Sequence, residues 1–244
     1  MNEQRVRLSV AAPCFNEAEG IAEVVKEWDG VLEGLPYESE IVICNDGSTD
    51  ATGKILEDLG ARYPRLRVVE LEQNSGYGRA LSRAVKATRG EYVATIDSDG
   101  QFDLADVRQL MAAAEEGDCE LVTGYRHKKR DSALRVRANH ALNLLVRLMF
   151  GLRLEDTNCA LKLARGEVLR GLAIEAANWA APTEICLRVY ARGQRIREVG
   201  VGHRDRVLGT SKVRTAAAAW GFFRYLVYMR LKLHLYRAGI LSGP

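Results

Sequence analysis

The chain lacks the long apolar segments that would place it across a membrane or send it through one. No run of 18 apolar residues occurs among its 244 residues, whereas a transmembrane helix needs about 20. The N-terminal segment MNEQRVRLSV has no apolar core of a signal peptide. We therefore expect a cytoplasmic protein, and we leave open a peripheral contact with the cytoplasmic face of the membrane.

Cysteine is scarce and scattered. The five cysteines are odd in number, and none stands in the C-x-x-C spacing that is typical of zinc sites. Reduced thiols of a cytosolic protein are the plain interpretation. The hydrophobic fraction of 47% and the charged fraction of 27% are those of a soluble globular protein.

Acidic residues are missing from the last part of the chain. From Arg206 to the end there are seven Lys and Arg but no Asp or Glu, and a second basic stretch, 126–137, contains Asp131 as its one acidic residue. The net charge of +3 by itself indicates no nucleic acid. The two basic stretches favour an anionic substrate or a membrane surface.

The hydrophobic pattern of the first 125 residues predicts alternating strands and helices. Such β-α repeats imply right-handed crossovers and an α/β fold, a mostly parallel sheet with helices on both faces. The predicted strands are 6–12, 40–44, 67–71, 92–96 and 120–123, and the helices between them are 17–32, a segment ending near 62, 76–88 and 104–116. Ligands of such sheets bind outside the carboxyl ends of the strands.

The second half predicts helices at 134–150, 166–173 and 183–191, a strand at 195–200 and a long helix from about 211 to 237. No linker, low-complexity segment or internal repeat separates these elements. We expect one domain over 1–210, followed by a basic, amphipathic C-terminal helix within 211–244.

The segment Ile-Asp-Ser-Asp-Gly-Gln at 96–101 directly follows a predicted buried strand. In extended chain, residues two apart point the same way, so Asp97 and Asp99 could present two carboxylates to one Mg²⁺ or Mn²⁺ ion. The alternative is a solvated acidic turn. The position at a strand end favours the metal site.

Two further polar motifs follow predicted central strands: Pro-Cys-Phe-Asn-Glu at 13–17 and Asn-Asp-Gly-Ser-Thr-Asp at 45–50. The carboxylates of Glu17 and Asp46 could accept hydrogen bonds from a nucleobase N–H, on guanine or uracil alike, and from ribose hydroxyls. Helix capping by Asn16, Thr49 or Asp50 explains part of each motif.

A third motif, Asn-Ser-Gly-Tyr-Gly-Arg at 74–79, opens a predicted helix. It comes near the dinucleotide-binding fingerprint, but Leu81 stands where the third glycine belongs, and a partial match is weak evidence. The pattern favours a tight turn around Gly76, with backbone N–H groups near a nucleotide.

Taken in order, these motifs resemble those of glycosyltransferase family 2: P-x-x-N-E, D-D-G-S-x-D, N-x-G and D-x-D-x-Q. Asn45 replaces the first Asp of the second motif. The resemblance implies a GT-A fold, a nucleotide-sugar donor and a divalent metal. It also implies that the metal ligands are Asp97, Asp99 and Gln101, and that the donor site includes Pro13, Asn16, Glu17, Asp46, Gly76 and Ser98.

The second half resembles the dolichol-phosphate mannosyltransferase branch of that family, which loads sugars onto polyprenyl phosphates. By that resemblance Arg126 and Arg135 would hold the acceptor phosphate, with Asp156 and Glu184 also in the substrate site. Arg206, Ser211 and Lys212 would close over the donor diphosphate. Guanidinium groups suit phosphate. Departures from the branch pattern concern the acceptor and the sugar: Asn139, Ala160-Leu161 and Asp103-Leu104.

The resemblance implies an inverting transfer of a hexose from a GDP- or UDP-sugar to dolichyl or undecaprenyl phosphate. A phosphate monoester is already ionised near neutral pH, so no strong base is needed. A hydroxyl acceptor would need one, and Asp156 or Glu184 would be the first candidates. The other classes considered are a family-2 enzyme with a soluble acceptor, a nucleotidyltransferase, a Rossmann dehydrogenase and a non-catalytic binding module.

The predicted C-terminal helix carries one apolar stripe at helical spacing: Phe222, Leu226, Met229, Leu233 and Tyr236. Basic residues lie off this stripe. Such a helix could lie on an anionic membrane, or it could pack on its own domain or on a second subunit of a homodimer.

Overall fold

Seven strands form one mixed sheet in the computed structural model, which describes residues 6–126, 133–204, 215–237 and Ile240. The strand order is β3-β2-β1-β4-β6-β5-β7. The strands are β1 Leu8–Cys14, β2 Ser39–Asn45, β3 Leu66–Glu70, β4 Tyr92–Thr95, β5 Leu121–Arg126, β6 Lys162–Arg165 and β7 Ile196–Val201. The first four of these in spatial order are parallel, as are β5 and β7. The predicted mostly parallel sheet is therefore confirmed.

The strand β6 is the one described strand that the sequence did not predict. It runs antiparallel to both of its neighbours, β4 and β5. Its first residue, Lys162, is fully buried, and its ammonium group donates to the Thr123 hydroxyl at 2.8 Å and the Thr157 carbonyl at 3.2 Å. Four residues that begin with a lysine do not have the apolar or β-branched character by which a strand is recognised.

Helices cover both faces of this sheet. They are α1 Ile21–Glu33, α2 Thr52–Arg62, α3 Tyr77–Ala87, α4 Val107–Glu115, α5 Ala133–Phe150, α6 Gly166–Arg170, α7 Ala181–Ala191 and α8 Thr215–Arg237. Alternation along β1 separates the two cores, since Val10 and Ala12 pack with α1, α2 and α4, whereas Ala11 packs with α3, α5, α6, α7 and α8. Side chains two apart in a strand share a face, so the central strands fill both cores at once.

The first strand does not end before Pro13, although its predicted bounds were 6–12. It continues through Pro13 to Cys14. The neighbouring strand β4 pairs with β1 only from Leu8 to Ala11, so on that side of Pro13 no ladder hydrogen bond is lost by its missing N–H. The carboxyl end of β1 thus extends past that of β4, toward the candidate site.

The apolar stripe of α8 packs against the domain itself. Phe222, Leu226, Met229 and Leu233 are buried in the same core as α3 and α7. The first alternative for this stripe, a membrane contact, is therefore wrong, because these side chains are already covered. The opposite side of α8 is also apolar and exposed, with Trp220, Phe223, Val227 and Leu231. Within the described ranges, no helix has both the length and the apolarity needed to span a bilayer.

Candidate active site

Three of the predicted motifs meet at one edge of the sheet. Parallel pairing brings the carboxyl ends of β2, β1 and β4 side by side. The Asp46 amide donates to the Cys14 carbonyl at 2.8 Å, and the Ser98 hydroxyl donates to the Pro13 carbonyl at 2.7 Å. Segments far apart in the sequence are thereby joined into one surface, at the place where ligands of open α/β sheets bind.

The first two motifs are linked by Asn16. This residue adopts a left-handed backbone conformation with φ of 53°, which asparagine tolerates better than most residues. Its backbone N–H donates to the Ser48 hydroxyl at 2.9 Å, and its side-chain oxygen accepts from the Thr49 N–H at 2.7 Å. The Glu17 N–H donates to the Thr52 hydroxyl at 2.9 Å. Asn16 therefore positions the loop that carries Glu17, and substrate contacts of either residue remain predictions.

Asp46 holds the turn that precedes α3. Its buried carboxylate accepts from the Ser75 N–H at 2.7 Å, from the Ser75 hydroxyl at 2.7 Å and from the Gly76 N–H at 2.9 Å. Gly76 has φ of 94°, and a Cβ there would lie 2.2 Å from the Ala177 carbonyl oxygen, so only glycine fits. Asp46 thus shapes this turn, and its contact with a nucleobase stays a prediction.

The departure from the family pattern at Asn45 has a local explanation. The Asn45 amide donates to the Glu70 carboxylate at 2.7 Å, and its side-chain oxygen accepts from the Ser48 N–H at 3.2 Å. An aspartate at this position would place two carboxylates in contact, whereas an amide supplies both a donor and an acceptor.

The D-x-D segment is not extended as expected, because Ser98 and Asp99 lie in a turn, although the burial of its side chains alternates. Ser98 is buried and faces the protein, whereas the Asp97 and Asp99 side chains are half-buried. Asp97 Oδ1 accepts from the Tyr77 hydroxyl at 2.7 Å, and Asp99 Oδ1 accepts from the Gln101 N–H at 3.1 Å. Gln101 is tied to Arg204, whose N–H donates to the Gln101 carbonyl at 2.8 Å. Two carboxylates on one short segment can therefore serve one ligand.

These residues fit a divalent ion that is shared with a ligand. Among the described residues, no three His, Cys, Asp or Glu side chains are grouped closely enough to form a metal cage. Mg²⁺ and Mn²⁺ commonly bind one or two carboxylates together with water and the oxygens of a diphosphate. Asp97 and Asp99 supply such a pair. Gln101, the third predicted ligand, follows Asp99 by two residues.

Tyr77 and Trp179 are residues of this site that sequence reasoning missed. Burial of the Tyr77 hydroxyl, with the negative charge of Asp97 beside it, raises the pKa of Tyr77 well above its ordinary value. The hydroxyl therefore stays protonated and donates a hydrogen bond to Asp97. The Tyr77 ring stacks on Trp179 with 5.9 Å between centroids. The N-x-G motif marks Tyr77 as the start of a helix, but nothing in that motif indicates a partner 20 residues further along the chain.

Arg126, at the end of β5, is held by Asp156. Arg126 Nε lies 2.7 Å from Asp156 Oδ2, and its terminal nitrogen lies 3.1 Å from Oδ1. The Asn139 amide also donates to Oδ1, at 3.2 Å. Asp156 itself is 1% exposed. The carboxylate thus orients a cation toward the sheet edge, and this use does not favour a role as general base.

Glu184 lies beneath a loop rather than at the sheet edge. Its carboxylate is fully buried and accepts from the N–H groups of Glu175 and Ala176, at 3.0 and 2.8 Å, and from Arg188 at 2.6 Å. The structure therefore describes a supporting position, while direct substrate contact remains a prediction.

Four of the predicted site residues fall beyond this description. Arg206, Ser211 and Lys212 lie outside the described residues, and so does the side chain of Arg135. Their assignment to the two phosphate groups stays a prediction.

Comparison with known proteins assigns the family. The family model described as glycosyl transferase family 2 matches residues 9–169, and the chain belongs to this family. Like the solved structures below, it has the GT-A fold, and it is a glycosyltransferase.

Two curated relatives resemble this chain over most of its length. Dodecaprenyl-phosphate galacturonate synthase of Rhizobium johnstonii is 28% identical over 240 residues, which cover 94% of this chain and 69% of the relative. Undecaprenyl-phosphate 4-deoxy-4-formamido-L-arabinose transferase of Edwardsiella ictaluri is 30% identical over 207 residues, 84% of this chain and 62% of the relative. The chain thus spans about two thirds of the length of these relatives.

A solved structure supports the fold. Glucosyl-3-phosphoglycerate synthase of Mycobacterium tuberculosis, in complex with phosphoglyceric acid, superposes with a TM-score of 0.73 at 24% identity and covers 92% of this chain and 80% of its own. Another structure of that enzyme, with Mn²⁺, UDP-glucose and phosphoglyceric acid, gives a TM-score of 0.71 at 23% identity, with the same coverage. At this identity the likeness supports the fold, and the Mn²⁺ is that enzyme's.

Proposed function

We propose that this protein is an inverting glycosyltransferase that moves a hexose from a GDP- or UDP-sugar to a polyprenyl phosphate, dolichyl or undecaprenyl. The observation that carries the proposal is the placement of the Asp97 and Asp99 carboxylates after β4 and of the Arg126 guanidinium at the end of β5, two strands away in the same sheet. The first pair suits a metal-bound diphosphate, and the second group suits a phosphate acceptor. The names of the two curated relatives, both acting on polyprenyl phosphates, support the acceptor.

In this proposal the donor is held at the edge formed by β1, β2 and β4. Asp97, Asp99 and Gln101 would hold Mg²⁺ or Mn²⁺, which when bound would neutralise the negative charge of the leaving diphosphate. The Gly76 N–H, although engaged by Asp46, belongs to the N-terminal turn of α3, where the helix dipole favours an anion. Arg206, Ser211 and Lys212 are proposed to close over the same diphosphate.

The acceptor is proposed to bind through Arg126, with Arg135 as its partner. Asp156 accepts from Arg126 at two points, and Asn139 donates to the same carboxylate. The plane of the guanidinium is thereby fixed, so little rearrangement is needed to bind a phosphate. A phosphate oxygen attacks the anomeric carbon. The new bond joins that carbon to the acceptor phosphate, and the bond to the nucleoside diphosphate breaks on the opposite side, so the configuration inverts.

No general base is required for this reaction. The second pKa of a phosphate monoester is roughly 6, so the attacking oxygen is ionised at neutral pH. Both carboxylates that a hydroxyl acceptor would have called upon, Asp156 and Glu184, are buried and already hydrogen-bonded to the protein. Catalysis then rests on positioning and on stabilising the leaving charge.

We propose further that the exposed side of α8 meets the membrane that holds the acceptor lipid. Trp220, Phe223, Val227 and Leu231 recur at intervals of three or four residues, and each is at least 40% exposed. Arg224 and Arg230 lie on the same helix and are exposed. Aromatic side chains beside basic ones suit the boundary between anionic headgroups and acyl chains. Flotation with anionic vesicles tests this: Leu231→Glu should reduce binding, whereas Ala61→Glu on α2, an equal change of charge, should not.

The transfer reaction is tested with purified protein, a panel of GDP- and UDP-sugars, Mn²⁺ or Mg²⁺, and a short polyprenyl phosphate. We expect nucleotide release that depends on the lipid phosphate and on the metal and is lost in Asp97→Asn. Release that ignores the lipid but responds to a soluble alcohol would overturn the acceptor assignment in favour of a hydroxyl acceptor. Full activity of Asp97→Asn would overturn the metal assignment.

A further inference from the structure

Among the residues that the structure describes, Tyr77 donates a side-chain hydrogen bond to Asp97. Its hydroxyl lies 2.7 Å from Oδ1, and Tyr77 is the first residue of α3. The helix is anchored on the sheet, since Ala80, Leu81 and Ala84 are buried against β1 and β2. A donor on a rigid element restricts the rotation of the carboxylate that it binds.

The Tyr77 ring is itself held on one face by Trp179. The two rings are nearly parallel, with an angle of 12° and 5.9 Å between their centroids. Trp179 lies in the loop between α6 and α7, and that loop is packed tightly against the start of α3. A Cβ on Gly78 would lie 1.7 Å from the Ala176 carbonyl oxygen, so the two backbones are in direct contact.

Charged side chains of two helices, one of them buried, also hold this loop. Glu184 of α7 accepts from the N–H groups of Glu175 and Ala176, and Lys232 of α8 contacts the Glu175 carboxylate. The loop that carries Trp179 is therefore attached to two helices, although Trp179 itself is 43% exposed. The contacts of this loop with α3, α7 and α8 thus fix the loop, and the loop presents Trp179 to the Tyr77 ring.

We propose that Tyr77 is a positioning residue for Asp97 and that Trp179 sets the orientation of Tyr77. The phenol fixes the Asp97 carboxylate in the orientation that a divalent ion requires. This inference rests on the proposed metal role of Asp97. Hydrogen-bond partners of metal ligands commonly change metal affinity by about 10- to 100-fold when they are removed.

The test is Mn²⁺ binding to the full chain in the absence of substrates, measured by electron paramagnetic resonance titration. Tyr77→Phe removes the hydroxyl and keeps the ring, so we expect a dissociation constant about tenfold higher and an unchanged melting temperature. Tyr63→Phe is the control: it also removes one hydroxyl and keeps the ring, but at the end of α2. We expect Tyr63→Phe to bind Mn²⁺ as the unmodified protein does.

Asp97→Asn separates the two levels of the argument. If Asp97→Asn binds Mn²⁺ normally, the proposed metal role fails, and the inference fails with it. If Asp97→Asn loses Mn²⁺ binding while Tyr77→Phe retains it, the metal role stands and the positioning role of Tyr77 is wrong.

The part assigned to Trp179 is tested by a pair of substitutions. Trp179→Phe keeps an aromatic ring over Tyr77 and should bind Mn²⁺ within about twofold of the unmodified protein, whereas Trp179→Ala should reproduce most of the Tyr77→Phe defect. The double variant Tyr77→Phe/Trp179→Ala should be no weaker than Tyr77→Phe, because both changes act through the same hydrogen bond. Additive losses would show that Trp179 acts independently of Tyr77.

Discussion

Arg126 and Asp156 form a two-point ion pair, with nitrogen–oxygen distances of 2.7 and 3.1 Å, in which the carboxylate is 1% exposed and the guanidinium side chain 14%. The aspartate belongs to the loop before β6, and the arginine belongs to the end of β5. This pair joins the proposed acceptor site to the protein interior.

Replacing Arg126 should affect stability and the acceptor together. Arg126→Ala removes a two-point cationic partner from the buried Asp156 carboxylate, which should cost about 3 kcal/mol of unfolding free energy. Arg126→Lys keeps the charge but loses the two-point geometry, so it should fold and show a raised KM for the polyprenyl phosphate with little change in KM for the nucleotide-sugar. Urea denaturation and initial-rate kinetics measure the two effects. An unchanged lipid KM in Arg126→Lys would contradict the acceptor role.

Glu40 should make folding sensitive to acid. Burial alone would raise the pKa of Glu40, but hydrogen bonds from the Ser9 hydroxyl, the Arg89 N–H and Arg67 outweigh it and lower the pKa below the ordinary 4.5. A lowered carboxylate pKa contributes stability above the unfolded-state value, and this contribution is lost as pH falls through the folded-state value. Glu40→Gln should therefore be less stable near pH 7, by about 2 kcal/mol, and this gap should close below about pH 4.5.

The measurement for Glu40 is chemical denaturation at a series of pH values. Glu57→Gln on α2 is the control, because Glu57 is exposed, and its difference from the unmodified protein should stay near zero throughout. A gap for Glu40→Gln that is constant with pH would show that the carboxylate charge is not what stabilises β2.

Gly78 should not tolerate a methyl group. A Cβ there would lie 1.7 Å from the Ala176 carbonyl oxygen, so Gly78→Ala must displace the loop that carries Trp179, at a cost of about 2 kcal/mol. Gly60→Ala is the matched control, since Gly60 is also helical but has nothing within 4 Å of the position that a methyl group would take. That change should be neutral or stabilising by up to about 1 kcal/mol. Thermal melts compare the two, and equal melting temperatures would mean that the loop moves freely.

Asn45 should not be replaceable by the aspartate that is usual in the family pattern. Asn45→Asp would set a carboxylate against that of Glu70, where 2.7 Å now separates the amide nitrogen from the Glu70 oxygen. We expect a loss of about 1 to 2 kcal/mol at neutral pH, and Glu70→Gln in the same chain should restore most of it. A double-mutant cycle measured by denaturation gives the coupling. No coupling would place the two groups apart in solution.

The sequence predicted the layered architecture well, because periodicity reports which side of each element is buried. All five strands predicted in the first half are present, with ends shifted by at most three residues. Contacts between distant segments were not predictable in this way. The pairing of Asn45 with Glu70 and of Tyr77 with Asp97 depends on strand order, which a local pattern does not contain. The strand β6 escaped prediction because its buried lysine reads as an exposed residue.

The C-terminal helix shows the same limit from another side. An apolar stripe states that one face of a helix will be covered, but not by what. Phe222, Leu226 and Met229 are covered by the domain. The sequence pattern did not single out the exposed apolar residues on the other side, because apolar residues occur on both sides of this helix.

The reversed strand β6 has a consequence for how such enzymes can diversify. Lys162 lies opposite both Thr95 of β4 and Thr123 of β5, so the chain enters β6 at the substrate edge, between the strand that leads to Asp97 and the strand that leads to Arg126. The segment before it, 156–161, would then separate the proposed donor site from the proposed acceptor site. In the proposed function, substitutions in that segment would be expected to alter the choice of acceptor while the donor site keeps its contacts.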